Sequence, residues 1–179
     1  MIGAVDAVLD KLVRGIEDWP KPGITFRDIT PLLADPSALQ ITVDALADLG
    51  RDLADGPIDK VIGVEARGFI FGTPVALALG AGFVPVRKAG KLPAVTHAVS
   101  YDLEYGSETL EIHRDALAPG ERVLVLDDVL ATGGTMAAAN ELVTRSGAAV
   151  AADVVLIELA GLHGRDRLPG ISLGALRAY

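Results

Sequence analysis

Val123-Leu124-Val125-Leu126-Asp127-Asp128-Val129-Leu130-Ala131-Thr132-Gly133-Gly134-Thr135 is the stretch on which the fold turns. Val123 to Leu126 is a run of apolar residues rich in branched types and too short for a core helix, so it predicts a strand buried on both faces. Two carboxylates, Asp127 and Asp128, stand at its carboxyl end. A turn of small residues and hydroxyls follows, and Met136 to Val143 then reads as a helix. In an open α/β sheet ligands sit outside the carboxyl ends of the strands, and a helix N-terminus offers unpaired N–H groups to a phosphate. That order places a phosphate in the loop Ala131, Thr132, Gly133, Gly134, Thr135.

The acidic pair suggests what the phosphate is attached to. Adjacent carboxylates can accept hydrogen bonds from vicinal hydroxyls, and their field favours a hard cation such as Mg²⁺ nearby. A phosphorylated sugar fits this arrangement. A Walker A loop needs Gly-Lys-Ser/Thr and a dinucleotide fingerprint needs three spaced glycines; the stretch has neither. A strand ending in a polar turn with an acidic helix cap shares the pattern.

With 179 residues, half of them apolar, the chain has the size of one α/β domain. A formal charge of −8 argues against a protein that grips nucleic acid through its whole surface. Without cysteine there is no disulfide, thiolate metal site or Cys nucleophile. The amino terminus lacks a basic segment and meets Asp6 and Asp10 early, and no apolar run reaches membrane-spanning length. A soluble cytoplasmic protein with no membrane partner is the simplest reading.

Outward from the central stretch, Val5, Val8, Leu9, Leu12, Val13 and Ile16 recur at helical spacing. Asp18 to Gly23 is turn-forming, and Ile24 to Pro31 is expected to be extended up to its proline. Leu39 to Leu53 marks a second amphipathic helix with Ser37 as its cap, and Lys60 to Val64 a short buried strand. Glu65-Ala66-Arg67-Gly68 then leads into an apolar helix from about Phe69 to Leu79. An arginine at a helix start opposes the helix dipole, so Arg67 suggests a shared anion, although an Arg merely exposed in a turn would look the same. Gly82 to Val86 is a further strand and delivers the basic turn Arg87, Lys88, Lys91. Alternation from Ala98 to Tyr105 and from Glu108 to His113, around Gly106-Ser107, predicts a polar hairpin placed to act as a lid. Ala148 to Leu159 is a long buried strand and Ile171 to Leu176 a final one. His97, His113 and His163 lack metal-ligand spacing and are read as surface residues.

The Val123 to Thr135 stretch resembles the phosphoribosyl pyrophosphate (PRPP) loop of type I phosphoribosyltransferases. Pro22-Gly23 through Phe26-Arg27-Asp28-Ile29, together with Tyr101-Asp102-Leu103-Glu104-Tyr105-Gly106, is similar to the hood and catalytic-loop segments of adenine phosphoribosyltransferases. The resemblance runs from about Pro22 to Thr135, and the element order fits to the end. It implies the type I fold: a single domain over residues 1–179, with a central, mostly parallel sheet flanked by helices. A small hood from about 1–34 plus the C-terminal segment, and a hairpin lid over about 94–113, complete it.

The family's roles fall on this sequence as follows. Thr25, Phe26, Arg27 and Val129 would hold adenine, with Phe26 stacked on the base. Asp127, Asp128 and the Ala131 to Thr135 loop would hold the ribose and its phosphate, while Glu65, Ala66, Arg67, Arg87, Lys88 and Lys91 would meet pyrophosphate. The peptide between Glu65 and Ala66 would be cis. Glu104 would exchange a proton with N7 of the base. Mg²⁺ is implied near Asp127 and Asp128 with no firm direct ligand, as is a homodimer in which Arg87 can serve the neighbouring subunit. Transfer of the 5-phosphoribosyl group from PRPP to adenine, giving AMP and pyrophosphate, is the activity the resemblance implies. A phosphoribosyltransferase for hypoxanthine, guanine or xanthine, and a PRPP-sensing regulator of the same fold, are the alternatives.

Overall fold

The computed structural model describes residues 2–102 and 106–179. It divides into two compact units, residues 1–45 and 46–179.

In the first unit, α1 (Ile2–Leu12) buries Val5 and Leu9. The helical pattern was expected to reach Ile16, but Arg14–Ile16 forms strand β1, which pairs antiparallel with β2 (Phe26–Asp28) and leaves Ile16 exposed. Arg14 Nε donates to Asp28 Oδ2 at 3.1 Å, and Asp28 Oδ1 accepts from the Thr30 N–H at 2.9 Å. Those bonds, together with one from the Thr30 hydroxyl to Oδ1 that counts most, hold the Asp28 carboxyl at about 2. The stretch to Pro31 is not extended throughout: Thr30–Ala34 is a short helix, α2, because proline is tolerated in a first helical turn. α3 (Pro36–Leu53), whose residues from Leu46 on belong to the second unit, is capped by Asp35, whose Oδ1 accepts from the Ala38 N–H at 2.9 Å, and not by Ser37.

The second unit is built on a seven-stranded sheet in the order β5-β6-β4-β3-β7-β8-β9. β3 (Lys60–Val64), β4 (Gly82–Lys88), β7 (Arg122–Leu130), β8 (Ala149–Glu158) and β9 (Leu173–Ala178) pair in parallel. β5 (Thr96–Asp102) and β6 (Ser107–His113) add an antiparallel edge through β4. Side chains alternate across the sheet. Val123 and Val125 join a core with Leu142 and Val143 of α5 (Gly134–Arg145). On the opposite face Leu124 meets Gly50 of α3, while Gly63 and Gly72 of β3 and α4 (Gly68–Leu79) lie against Phe83. The sheet is thus covered on both faces, which is why its central strands carry uninterrupted apolar runs.

The hairpin expected to be a polar arm has a stem that belongs to this sheet. Val99, Leu110 and Ile112 are buried, and Arg87 pairs with Glu111 across β4 and β6. His113 is half-buried, with Nε2 sealed from solvent and without a hydrogen-bond partner among the described residues, so it is not the surface histidine the sequence suggested. Behind α5, Asn140 Nδ2 donates to Asp153 Oδ2 at 2.8 Å in full burial. Among the described residues no helix is long and apolar enough to cross a membrane.

Candidate active site

β3 and β7 are adjacent and parallel, so the turns that leave their carboxyl ends open on the same side of the sheet. There lies a cavity of about 590 Å³ lined by Glu65, Ala66, Arg67, Lys88, Tyr101, Glu108, Leu110, Asp127, Asp128, Val129, Ala131 and Thr135. A narrower cleft of about 50 Å³ continues into the turn itself, between Asp127, Val129, Ala131, Thr132, Gly133 and Thr135.

The turn has the shape of a phosphate cradle. Gly133 precedes α5 with φ 81°, a left-handed conformation that glycine adopts without strain, and the first N–H groups of α5 have no partner within the helix. Gly133 also lies so close to Gly164 that a Cβ on either would strike the other segment; a Cβ on Gly164 would come within 3.0 Å of Leu130 Cγ and 3.1 Å of Gly133 N. A 3₁₀ turn at Gly164–Arg167 therefore backs the phosphate loop directly.

The Asp pair lies within the strand and not at its end, for β7 continues through Val129 and Leu130 alongside β8. Asp127 Oδ1 accepts from the Asp128 N–H at 2.8 Å, and Asp128 Oδ2 lies 2.9 Å from Arg67 Nε. That contact is an ion pair without hydrogen-bond alignment, which leaves Asp128 Oδ2 buried and unbonded among the described residues. Burial, then the Asp128 charge, push the Asp127 carboxyl well up from the usual range. Burial raises Asp128 too, with Arg67 as the main offset. Two full negative charges here are unfavourable until a cation or hydroxyl donors arrive.

Across the cavity the expected pyrophosphate residues divide. The Glu65–Ala66 peptide is cis. Arg67 and Lys88 line the space, whereas Arg87 turns to Glu65, donating from Nε at 3.1 Å and from the terminal nitrogen at 3.2 Å. Burial works against the Glu65 charge, but Arg87 and the Lys88 N–H outweigh it and hold the carboxyl below its ordinary range. Lys91 is exposed and its backbone oxygen accepts from Arg87 at 3.2 Å. The lining thus sets four carboxylates, Glu65, Glu108, Asp127 and Asp128, against the cations Arg67 and Lys88. Among the described residues no group of three His, Cys, Asp or Glu side chains is placed to hold a metal by itself.

Tyr101, Glu108 and Leu110 are wall residues that sequence reasoning missed. Tyr101 and Glu108 face each other across the β5–β6 register, and the alternation of the hairpin was the signal that could have found them. Phe26 is half-buried with its ring edge on Trp19, centroids 4.5 Å apart; Thr25 is exposed and Arg27 half-buried. Glu104 lies outside the described residues.

A sugar-phosphate cradle, an acidic pair and cations for a second anionic group, gathered at the ends of parallel strands, define a site for transferring a phosphorylated sugar. The sequence matches the family described as phosphoribosyl transferase domain over residues 28–168. An adenine phosphoribosyltransferase of a Nocardioides species is 60% identical over 92% of this chain and 90% of the relative. The crystal structure of adenine phosphoribosyltransferase from Thermoanaerobacter pseudethanolicus superimposes with a TM-score of 0.90 at 45% identity, covering 98% of this chain and 99% of that one. That of Saccharomyces cerevisiae, complexed with an imino-altritol bisphosphate and adenine, gives 0.92 at 39% identity, with 97% and 99% covered. The chain belongs to the phosphoribosyltransferase family and, within it, groups with the adenine phosphoribosyltransferases.

Proposed function

We propose that the protein transfers the 5-phosphoribosyl group from PRPP to adenine, giving AMP and pyrophosphate in purine salvage. The observation that carries this is one cavity lined together by Arg67 and Lys88, by Asp127 and Asp128, and by Ala131 and Thr135 of the phosphate turn, so that a sugar bearing anionic groups at both ends can meet all of them.

Each end has its own work. The N–H groups of the Ala131 to Thr135 turn and the hydroxyls of Thr132 and Thr135 take the 5′-phosphate. Asp127 and Asp128 accept from the ribose hydroxyls, which supply the donors that the unbonded Asp128 Oδ2 lacks. Arg67 and Lys88 offset the charge that builds on departing pyrophosphate, with Glu65 and Ala66 shaping that loop and Arg87 and Lys91 standing behind it. An anomeric carbon that gains positive character gives positioning and electrostatics the larger share of the rate. Thr25, Phe26, Arg27 and Val129 receive adenine, and Glu104 exchanges a proton with its N7. The excess of carboxylates in the lining fits Mg²⁺ near Asp127 and Asp128, where it would supply charge neutralisation for pyrophosphate.

The whole chain serves as one catalytic domain, with a hood from about 1–34 plus the C-terminal segment and a lid over about 94–113. We place it in the cytoplasm, since a multiply charged sugar pyrophosphate does not cross a membrane unaided. A homodimer is supported by α4, which is apolar on nearly every side yet leaves Ile70 41% and Leu77 78% exposed. Arg87 would contribute across that interface.

The test is pyrophosphate release from PRPP and Mg²⁺ with adenine, hypoxanthine, guanine, xanthine and orotate supplied separately, alongside Glu104→Gln and Asp128→Asn. Turnover of adenine alone, with Glu104→Gln losing kcat far more than binding, is expected. Preference for another purine would overturn the base assignment. PRPP binding without turnover of any base would make the chain a sensor.

A further inference from the structure

One charged group in the cavity has no part in the chemistry just described. Glu108 Oε1 pairs with Lys88 Nζ, while Glu108 Oε2 accepts from the Tyr101 hydroxyl at 3.0 Å. Tyr101 Oη in turn accepts from Thr135 Oγ1 at 3.1 Å. A continuous chain, Lys88-Glu108-Tyr101-Thr135, therefore joins the cation that faces pyrophosphate to the hydroxyl that faces the 5′-phosphate.

We propose that Glu108 is a positioning residue for pyrophosphate: an internal anion that occupies Lys88 when the site is empty, competes with pyrophosphate for it, and so weakens the hold on the departing product. This rests on the reading of the site as a phosphoribosyltransferase centre. Three features support it. Glu108 is the only carboxylate within ion-pair distance of Lys88 among the described residues, because the Glu65 side chain is taken by Arg87 and the Lys88 N–H. The pair is open to solvent, with side-chain exposures of 51% for Lys88 and 31% for Glu108, so its strength is that of a surface ion pair and an incoming polyanion can displace it. Tyr101 holds the second oxygen, so the carboxylate stays at the cavity wall when Lys88 leaves it, and its charge there continues to oppose a bound anion.

Glu108→Gln separates charge from shape, since the amide oxygen still accepts from Tyr101 while the competing charge is gone. Pyrophosphate binding is measured by titration calorimetry on the full chain with Mg²⁺, for the wild type, Glu108→Gln, Glu108→Ser, Lys88→Ala and the Lys88→Ala/Glu108→Gln double variant. An exposed pair of this kind corresponds to roughly two- to fivefold in affinity. Glu108→Gln and Glu108→Ser are expected to bind pyrophosphate that much more tightly and to show stronger product inhibition, with AMP affinity unchanged in Glu108→Gln, which keeps an acceptor for Tyr101. In the Lys88→Ala background the part of the gain that comes from freeing Lys88 should be lost, leaving a smaller one from removal of the Glu108 charge. Wild type that binds pyrophosphate while both Glu108 variants bind it equally or more weakly would overturn this proposal and leave the reading of the site intact. Wild type that binds no pyrophosphate would overturn both.

Discussion

Asp153→Asn should make the protein more stable at alkaline pH and remove a specific part of its pH dependence. Asp153 lies in β8 with no exposed surface, the Asn140 amide at 2.8 Å is the one hydrogen-bond partner of its carboxyl among the described residues, and burial pushes that carboxyl up from 3.8 to about 7. An acid raised in the folded state keeps its proton there while the unfolded chain has lost it. Its contribution is therefore fully present below about pH 4 and lost as pH climbs to about 7. A difference of that size corresponds to roughly 4 kcal/mol across the whole window and to about 3 kcal/mol between pH 5 and pH 8. The variant carries no titrating group there, and its new amide can donate to Asn140 Oδ1, which has no hydrogen-bond partner among the described residues. Urea unfolding of both proteins at pH 5, 6, 7 and 8 measures the effect. Asp28, Glu65, Glu108 and the Asp127-Asp128 pair also titrate away from their ordinary ranges, but they are common to both proteins and cancel in the difference. The variant's advantage should grow by about 3 kcal/mol from pH 5 to pH 8 and flatten above pH 7. A difference that does not change with pH would refute the reasoning, because it would mean Asp153 is ionised in the fold throughout.

Three further outcomes are expected. Gly164→Ala forces a methyl group against the phosphate turn, within 3.0 Å of Leu130 Cγ, and should cost about 1–3 kcal/mol of AMP binding, read by calorimetry. Arg67→Ala removes the cation 2.9 Å from Asp128 and should weaken pyrophosphate binding by about tenfold or more, the scale of a charge-assisted contact worth about 1.5–3 kcal/mol. Its melting temperature should also fall more at pH 8 than at pH 5, as Asp128 loses its offsetting charge. Leu77→Glu places a charge on the apolar face of α4 and should convert a dimer to monomers in sedimentation, with loss of activity if Arg87 serves the neighbouring site.

The sequence was most informative where one local rule acts alone. The strand at Lys60–Val64 and the helix following Gly133 stand where composition and spacing put them, because buried parallel strands need continuous apolar runs and a helix start needs a small, positive-φ turn. It misled where two rules compete. Ile16 satisfies a helical period yet lies in β1, since the pairing Arg14 to Asp28 outweighs local propensity. Pro31 reads as a stop but opens α2. In the site, Arg67, Asp127 and the phosphate turn are contiguous motifs and were legible. Tyr101 and Glu108 were not, because their place on the wall depends on hairpin register and on the contact of Tyr101 with Thr135, which no linear spacing encodes. Nor could spacing show that Arg87 would spend its guanidinium on Glu65.

The backing of the phosphate turn by Gly164 has a consequence for how the enzyme is made. The loop at Ala131 to Thr135 leaves the ribosome well before the segment that supports it, and β9 follows later still. Stabilisation by a bound nucleotide requires a formed site. A nascent chain stalled before Gly164 should therefore gain no protease resistance from AMP, whereas one extended past Tyr179 on a spacer should gain it in full. On that expectation the nucleotide protects the finished protein and does not guide its synthesis.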